Sequence, residues 1–236
     1  MKIINLLPLF ILLFISACTN EQQSASGSEG CLLIDKTDSM YLYPTADDMT
    51  KLAKLKEDPW QSFSFTIATI EDKDITNSKH FSIDDENAIT GELDLRYGKI
   101  AHLKKDMKVY LDSVHNTKIK AIPHSIIYKS LCLTLNDLAN KHVANRYLIA
   151  CTDWMENSYC VNFYDTTIQR LLVTNPTYIK NLLEKEAGVL PNLQGIHIYF
   201  VYSPKSYEDN AKYRLASNFF EWLLKSKGAI VHLGLK

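Results

Sequence analysis

The feature that most constrains the fold is an alternation along the chain. Short apolar runs of strand length are followed by longer segments whose apolar residues recur at helical spacing. CLLID (31–35) reads as a short buried strand, and Pro44 to Glu57 reads as a helix with Met49, Leu52, Ala53 and Leu55 on one face. SFSFTIATI (62–70) alternates Phe63, Phe65 and Ile67 as a strand does, and HFSID (80–84) is a weaker partner for it. Residues 85–120 are charged and mixed, with LKKDMKVYLDSV giving only a short helix. Beyond Pro123 the alternation sharpens. Ile127, Leu131, Leu135 and Leu138 mark a helix, NRYLIACTD (145–153) a strand, and DTTIQRLLVTNPTYIKNLLEKEAG includes a helix closing at Gly188. IHIYFVYS (196–203), the helix within 206–228 and the strand AIVHLG (229–234) complete the series. Strands separated by helices pair in parallel, so the expected fold is α/β: a doubly wound, mostly parallel sheet with helices on both faces. In such sheets the functional site lies beyond the carboxyl ends of the strands, where the strand order reverses.

The N-terminus is read apart from this body. Lys2 precedes LLPLFILLFI (6–15), an apolar run of signal-peptide length and short of an ordinary membrane span. It closes on Ile15-Ser16-Ala17-Cys18, which resembles a bacterial lipobox with Cys18 as the lipidated residue. A cleaved signal with an incidental Cys and an uncleaved anchor are the alternatives. Residues 1–17 are thus expected to be a lipoprotein signal peptide, 18–30 a flexible tether, and 31–236 a single domain. The protein is expected in the bacterial cell envelope, attached to the membrane through its lipid. Without Lys2 the 26 basic residues become 25 against 27 acidic ones, and that balance argues against nucleic acid as a partner. Cys31, Cys132 and Cys151 sit in apolar runs, and no CxxC or Cys/His spacing points to zinc.

At the end of the first strand stands Asp35-Lys36-Thr37-Asp38-Ser39. One reading is a turn, since Asp, Thr and Ser side chains satisfy nearby backbone amides. The other is a loop of oxygen ligands. Asp35, Thr37 and Ser39 alternate, so in an extended loop all three face one point. One carboxylate with two hydroxyls suits a hard cation such as Mg²⁺, which takes about six oxygens and few protein carboxylates.

This arrangement resembles the von Willebrand factor type A family and its metal-ion-dependent adhesion site, which reads Asp-x-Ser-x-Ser after the first strand. Thr37 stands for the first Ser and keeps the hydroxyl. Asp153, in LIACTDWMENS, matches the family's later Asp after the fourth strand. Ser125, just before the helix that follows Pro123, is the candidate for the family's middle Thr. The sequence departs from the family at Trp154, where Gly is common. The resemblance implies a Rossmann-like three-layer sandwich and a metal site built from Asp35, Thr37, Ser39, Ser125 and Asp153. It implies Mg²⁺, or Mn²⁺ or Ca²⁺, as the cofactor, and a protein ligand offering an acidic side chain as the partner. Trp154 is the expected apolar partner contact beside the cation. Trp154, Tyr159, Phe163 and Tyr164 are candidates for a binding surface or, in part, for helix core.

Other chemistries lack their residues. There is no GxSxG elbow and no P-loop, and the seven histidines show no ligand spacing. A haloacid-dehalogenase-like phosphatase wants Asp-x-Asp, and position 37 is Thr. The expected function is therefore a binding module and not an enzyme. The rivals are a metal-dependent phosphoesterase built on Asp35 and Asp153, and a structural lipoprotein that keeps the fold and holds no cation.

Overall fold

The structure, a computed structural model of the chain, describes residues 25–37, 43–70, 75–117 and 124–235. Of the expected site residues, Cys18 and Ser39 lie outside them. The described chain runs β1 (Ala25–Asp35), α1 (Ala46–Leu52), β2 (Ser62–Ile70), β3 (Ile75–Ile83), α2 (Leu93–Asn116), α3 (Ile127–Ala139), β4 (Val143–Cys151), α4 (Thr166–Thr174), α5 (Pro176–Ala187), β5 (Ile196–Val201), α6 (Tyr207–Ser226) and β6 (Ile230–Leu233). The strands form one 6-stranded sheet in the order β3-β2-β1-β4-β5-β6. Every neighbouring pair is parallel except β2 with β3. The fold is α/β, a doubly wound three-layer sandwich.

The two faces of the sheet follow from strand alternation. Along β1, Cys31 and Leu33 point to one face and Leu32 and Ile34 to the other, all buried. The first face is covered by α3, α4, α5 and α6 through residues such as Leu131, Leu135, Ile179 and Phe220. The second is covered by α1 and α2 through Met49, Ile100, Met107 and Leu111. A strand buried on both sides reads as a continuous apolar run, which is why CLLI and LIAC were legible.

Two expectations need correction. Residues 25–30, read as tether, are the first half of β1. Their polarity does not prevent this, because β2 and β4 pair with β1 on both sides, Gly27 facing Ser62 and Gly30 facing Phe65 and Tyr147. Gly30 is required there. A Cβ would lie 2.5 Å from the Phe65 ring and 2.6 Å from the Tyr147 ring, and these rings meet at 5.8 Å across the strand. Second, the mixed segment holds α2, a helix of 24 residues. Its buried stripe is Arg96, Ile100, Leu103, Met107, Leu111 and Val114. The helix expected to close at Gly188 is α5, and α4 precedes it in the same segment. Asn175, with φ −150°, ends α4 and its side chain accepts from Tyr178 N to start α5, with Pro176 in the first turn.

No helix among the described residues is long and apolar enough to cross a membrane. Cys31, Cys132, Cys151 and Cys160 are free thiols, the first three buried.

Candidate functional site

The strand order turns around between β1 and β4, and the candidate residues gather at the carboxyl ends of these two strands. Ile34 pairs with Cys151, so Asp35 and Thr152 leave the sheet side by side. Asp35 is 1% exposed. One of its oxygens, Oδ1, accepts from Thr37 N at 2.8 Å and from Thr37 Oγ1 at 2.6 Å. The other, Oδ2, accepts from Ser125 Oγ at 2.9 Å and Thr152 Oγ1 at 3.0 Å. Four donors fill the acceptor capacity of an ionised carboxylate. Burial pushes the Asp35 carboxyl above its ordinary range, and the hydrogen bonds from Thr37, Ser125 and Thr152 oppose that rise.

Ser125 comes from a distant part of the chain and is held firmly. Its backbone exchanges two hydrogen bonds with Asn157: Asn157 N donates to Ser125 O at 2.9 Å and Ser125 N to Asn157 O at 3.2 Å. Lys36, buried between the two motif residues, donates through Nζ to Val114 O at 2.7 Å and Thr117 O at 3.3 Å, tying the loop to the end of α2. A cation at a helix C-terminus complements its dipole.

Asp153 is 8% exposed, with Oδ1 accepting from Met155 N at 2.8 Å and Tyr164 Oη donating to Oδ2 at 3.4 Å. Trp154 does not do what the sequence suggested. Its ring is fully buried, 4.0 Å from the Phe200 ring and 4.9 Å from the Phe220 ring, so it faces the core and not a partner. The chain turns there, Trp154 having φ +64°, and the ring joins the aromatic core formed with Phe200 and Phe220. Phe163 is buried as well, whereas Tyr159 and Tyr164 are exposed. Tyr159 also packs on His124, with ring centroids 5.0 Å apart.

The structure therefore brings Asp35, Thr37 and Ser125 into one hydrogen-bonded cluster and places Asp153 on the strand end beside it. The motif reading missed two residues. Thr152 had a visible signal, a Thr-Asp pair closing an apolar strand. Glu156 had none; it is 1% exposed, and its Oε2 accepts from Tyr128 N at 2.8 Å.

The donor set fits a hard cation on chemical grounds. A hydroxyl that gives its proton to Asp35 keeps two lone pairs for another electrophile. Thr37 and Ser125 are in that state. Thr152 spends part of this capacity accepting from Trp154 N at 3.1 Å. Asp35, with four donors on it, orients the hydroxyls more than it offers oxygen of its own. Among the described residues no three His, Cys, Asp or Glu side chains group as a metal centre, so a cation here would rest on hydroxyls and few carboxylates.

This combination defines a class: a doubly wound α/β protein with a hydroxyl-carboxylate cluster at its topological switch point. No protein-family model and no curated protein matches the chain.

Proposed function

We propose that the chain is an exported, lipid-anchored binding module of von Willebrand factor A type, which uses a divalent cation to engage a protein partner through an acidic side chain. The observation that carries this reading is the Asp35 carboxylate accepting hydroxyl protons from Thr37, Ser125 and Thr152 at the carboxyl ends of β1 and β4. Thr37 and Ser125 would hold Mg²⁺ or Mn²⁺ through their hydroxyl oxygens, with Asp35 and Asp153 supplying negative charge and Ser39 a further hydroxyl. The bound cation would offer a coordination position to an incoming carboxylate. With Trp154 in the core, exposed Tyr159 and Tyr164 are the aromatic groups left to flank such a partner.

Melting with and without Mg²⁺ or Mn²⁺ tests the cation. A ligand at a hundredfold excess over its Kd adds about 2.7 kcal/mol to folding stability, so the melting temperature of the wild type rises and chelator reverses the rise. Asp35→Asn should fold with apo stability about 1–3 kcal/mol below wild type, because its amide oxygen serves Thr37 while its NH₂ donates to Ser125 and Thr152 and leaves their hydroxyl protons without the Asp35 acceptor. It should lose the cation response, since the negative charge beside the hydroxyls is gone. An equal response in wild type and Asp35→Asn would place the cation elsewhere. For the anchor, Cys18→Ser should release the protein from the membrane fraction, and unchanged retention would contradict lipidation.

A further inference from the structure

We infer that Glu156 is a positioning residue of the candidate site, fixing Ser125 against Asp35 through the start of α3. The helix begins without a side-chain cap of its own, its N-cap being Ile126. Glu156 supplies one from the β4–α4 loop, its Oε2 accepting from Tyr128 N at 2.8 Å. The next residue in that loop, Asn157, makes the paired backbone hydrogen bonds to Ser125. Ser125 is therefore held on three sides: by Asp35 through its hydroxyl, by Asn157 through its backbone, and by the helix that Glu156 caps.

The cost of this arrangement argues that the carboxyl has a task. Glu156 is 1% exposed, and burying a carboxyl so completely is costly. Ser, Asp or Asn at the N-cap itself would cap α3 without burying a carboxyl. A cap reaching in from the loop instead joins two segments that both contribute to the site. A cavity of about 10 Å³ beside Glu156 is lined by Tyr128, Lys129, Ser158 and Glu186, room for about one water molecule.

Burial, the largest influence, pushes the Glu156 carboxyl up to about 8. The groups facing it are Lys129 and Cys132 on α3, Glu186 on α5 and Cys160 in its own loop. Hydrogen bonds from the Tyr128 N–H and from Ser158 favour its charged form, and Glu186 repels it. The Glu156 proton is thus a probe of the linkage near neutral pH.

The inference rests on the cation reading for its purpose, and the test separates the two. Amide resonances of Tyr128 and Ser125 are followed from pH 6 to 10 without metal, in wild type and Glu156→Gln. The expected result is a shared midpoint near 8 in wild type and flat profiles in Glu156→Gln, which keeps an acceptor for Tyr128. A Ser125 resonance that ignores the transition, or the same transition in Glu156→Gln, overturns the linkage. In the second arm, Mn²⁺ affinity should fall about tenfold in Glu156→Ala and recover in Glu156→Gln, the scale at which groups that orient ligands act. Unchanged affinity in a folded Glu156→Ala overturns the inference. If wild type binds no Mn²⁺ while Ser125 follows Tyr128, the cation reading falls and the positioning role stands.

Discussion

Trp154 carries the sharpest contrast between what neighbours in sequence suggest and where a side chain goes. Placed beside Asp153, it invites the role of a partner contact; the chain instead turns there, at φ +64°, and its indole packs against Phe200 and Phe220. A bulky residue in that conformation costs about 1–3 kcal/mol, and its Nε1 lacks a hydrogen-bond partner, so packing must outweigh both. Trp154→Ala should accordingly lower unfolding free energy by about 3–5 kcal/mol in denaturant titration, the range for emptying a buried aromatic site. A near-neutral effect on stability would return Trp154 to the surface. Alternation made Asp35 and Thr37 legible, and only the family resemblance, which implies a hydroxyl before that helix, pointed to Ser125. Glu156 and the direction of Trp154 were not legible, because both depend on how the 152–163 loop folds back on α3. No periodicity along the chain encodes that return.

At the scale of elements, the strands with two apolar faces were readable and the elements defended by polar groups were not. β2 coincides with SFSFTIATI residue for residue. The first half of β1 is hidden by its Ser, Glu and Gly content, although Ser28 and Glu29 are buried. Ser28 Oγ donates to Ala53 O at 3.2 Å, and Lys141 lies 3.6 Å from Glu29. The helix α2 is hidden for another reason: its inward stripe opens with Arg96, which is fully buried. The guanidinium donates to the carbonyl oxygens of Pro59, Asp84 and Gln61 and pairs with Glu86 at 2.9 Å. It thereby stitches the connections on both sides of β2 and β3 to the helix. Arg96→Met should cost about 2–4 kcal/mol, since the methionine covers the apolar stem and leaves buried acceptors unserved. Thermal denaturation checks this, and a stability equal to wild type would show that water replaces the guanidinium at no cost.

For the whole molecule, the order of strand and helix segments was enough to foresee a mostly parallel sheet wrapped on both faces, because parallel neighbours require crossovers. It was enough, too, to place the candidate site at the carboxyl ends of β1 and β4, where the crossovers part to opposite sides. What such a site binds is a different matter, since one sheet topology supports many chemistries. The central claim is that the Asp35 cluster holds a divalent cation. Titrating the isotopically labelled protein with substoichiometric Mn²⁺ tests it most directly, by the paramagnetic broadening of nearby amide resonances. The account predicts that Asp35, Thr37, Ser125, Thr152 and Asp153 broaden first and together, that excess Mg²⁺ restores them, and that Asp35→Asn leaves them sharp. Broadening that starts at exposed carboxylates elsewhere, such as Asp94 or Glu208, with the β1 and β4 ends untouched, would contradict it.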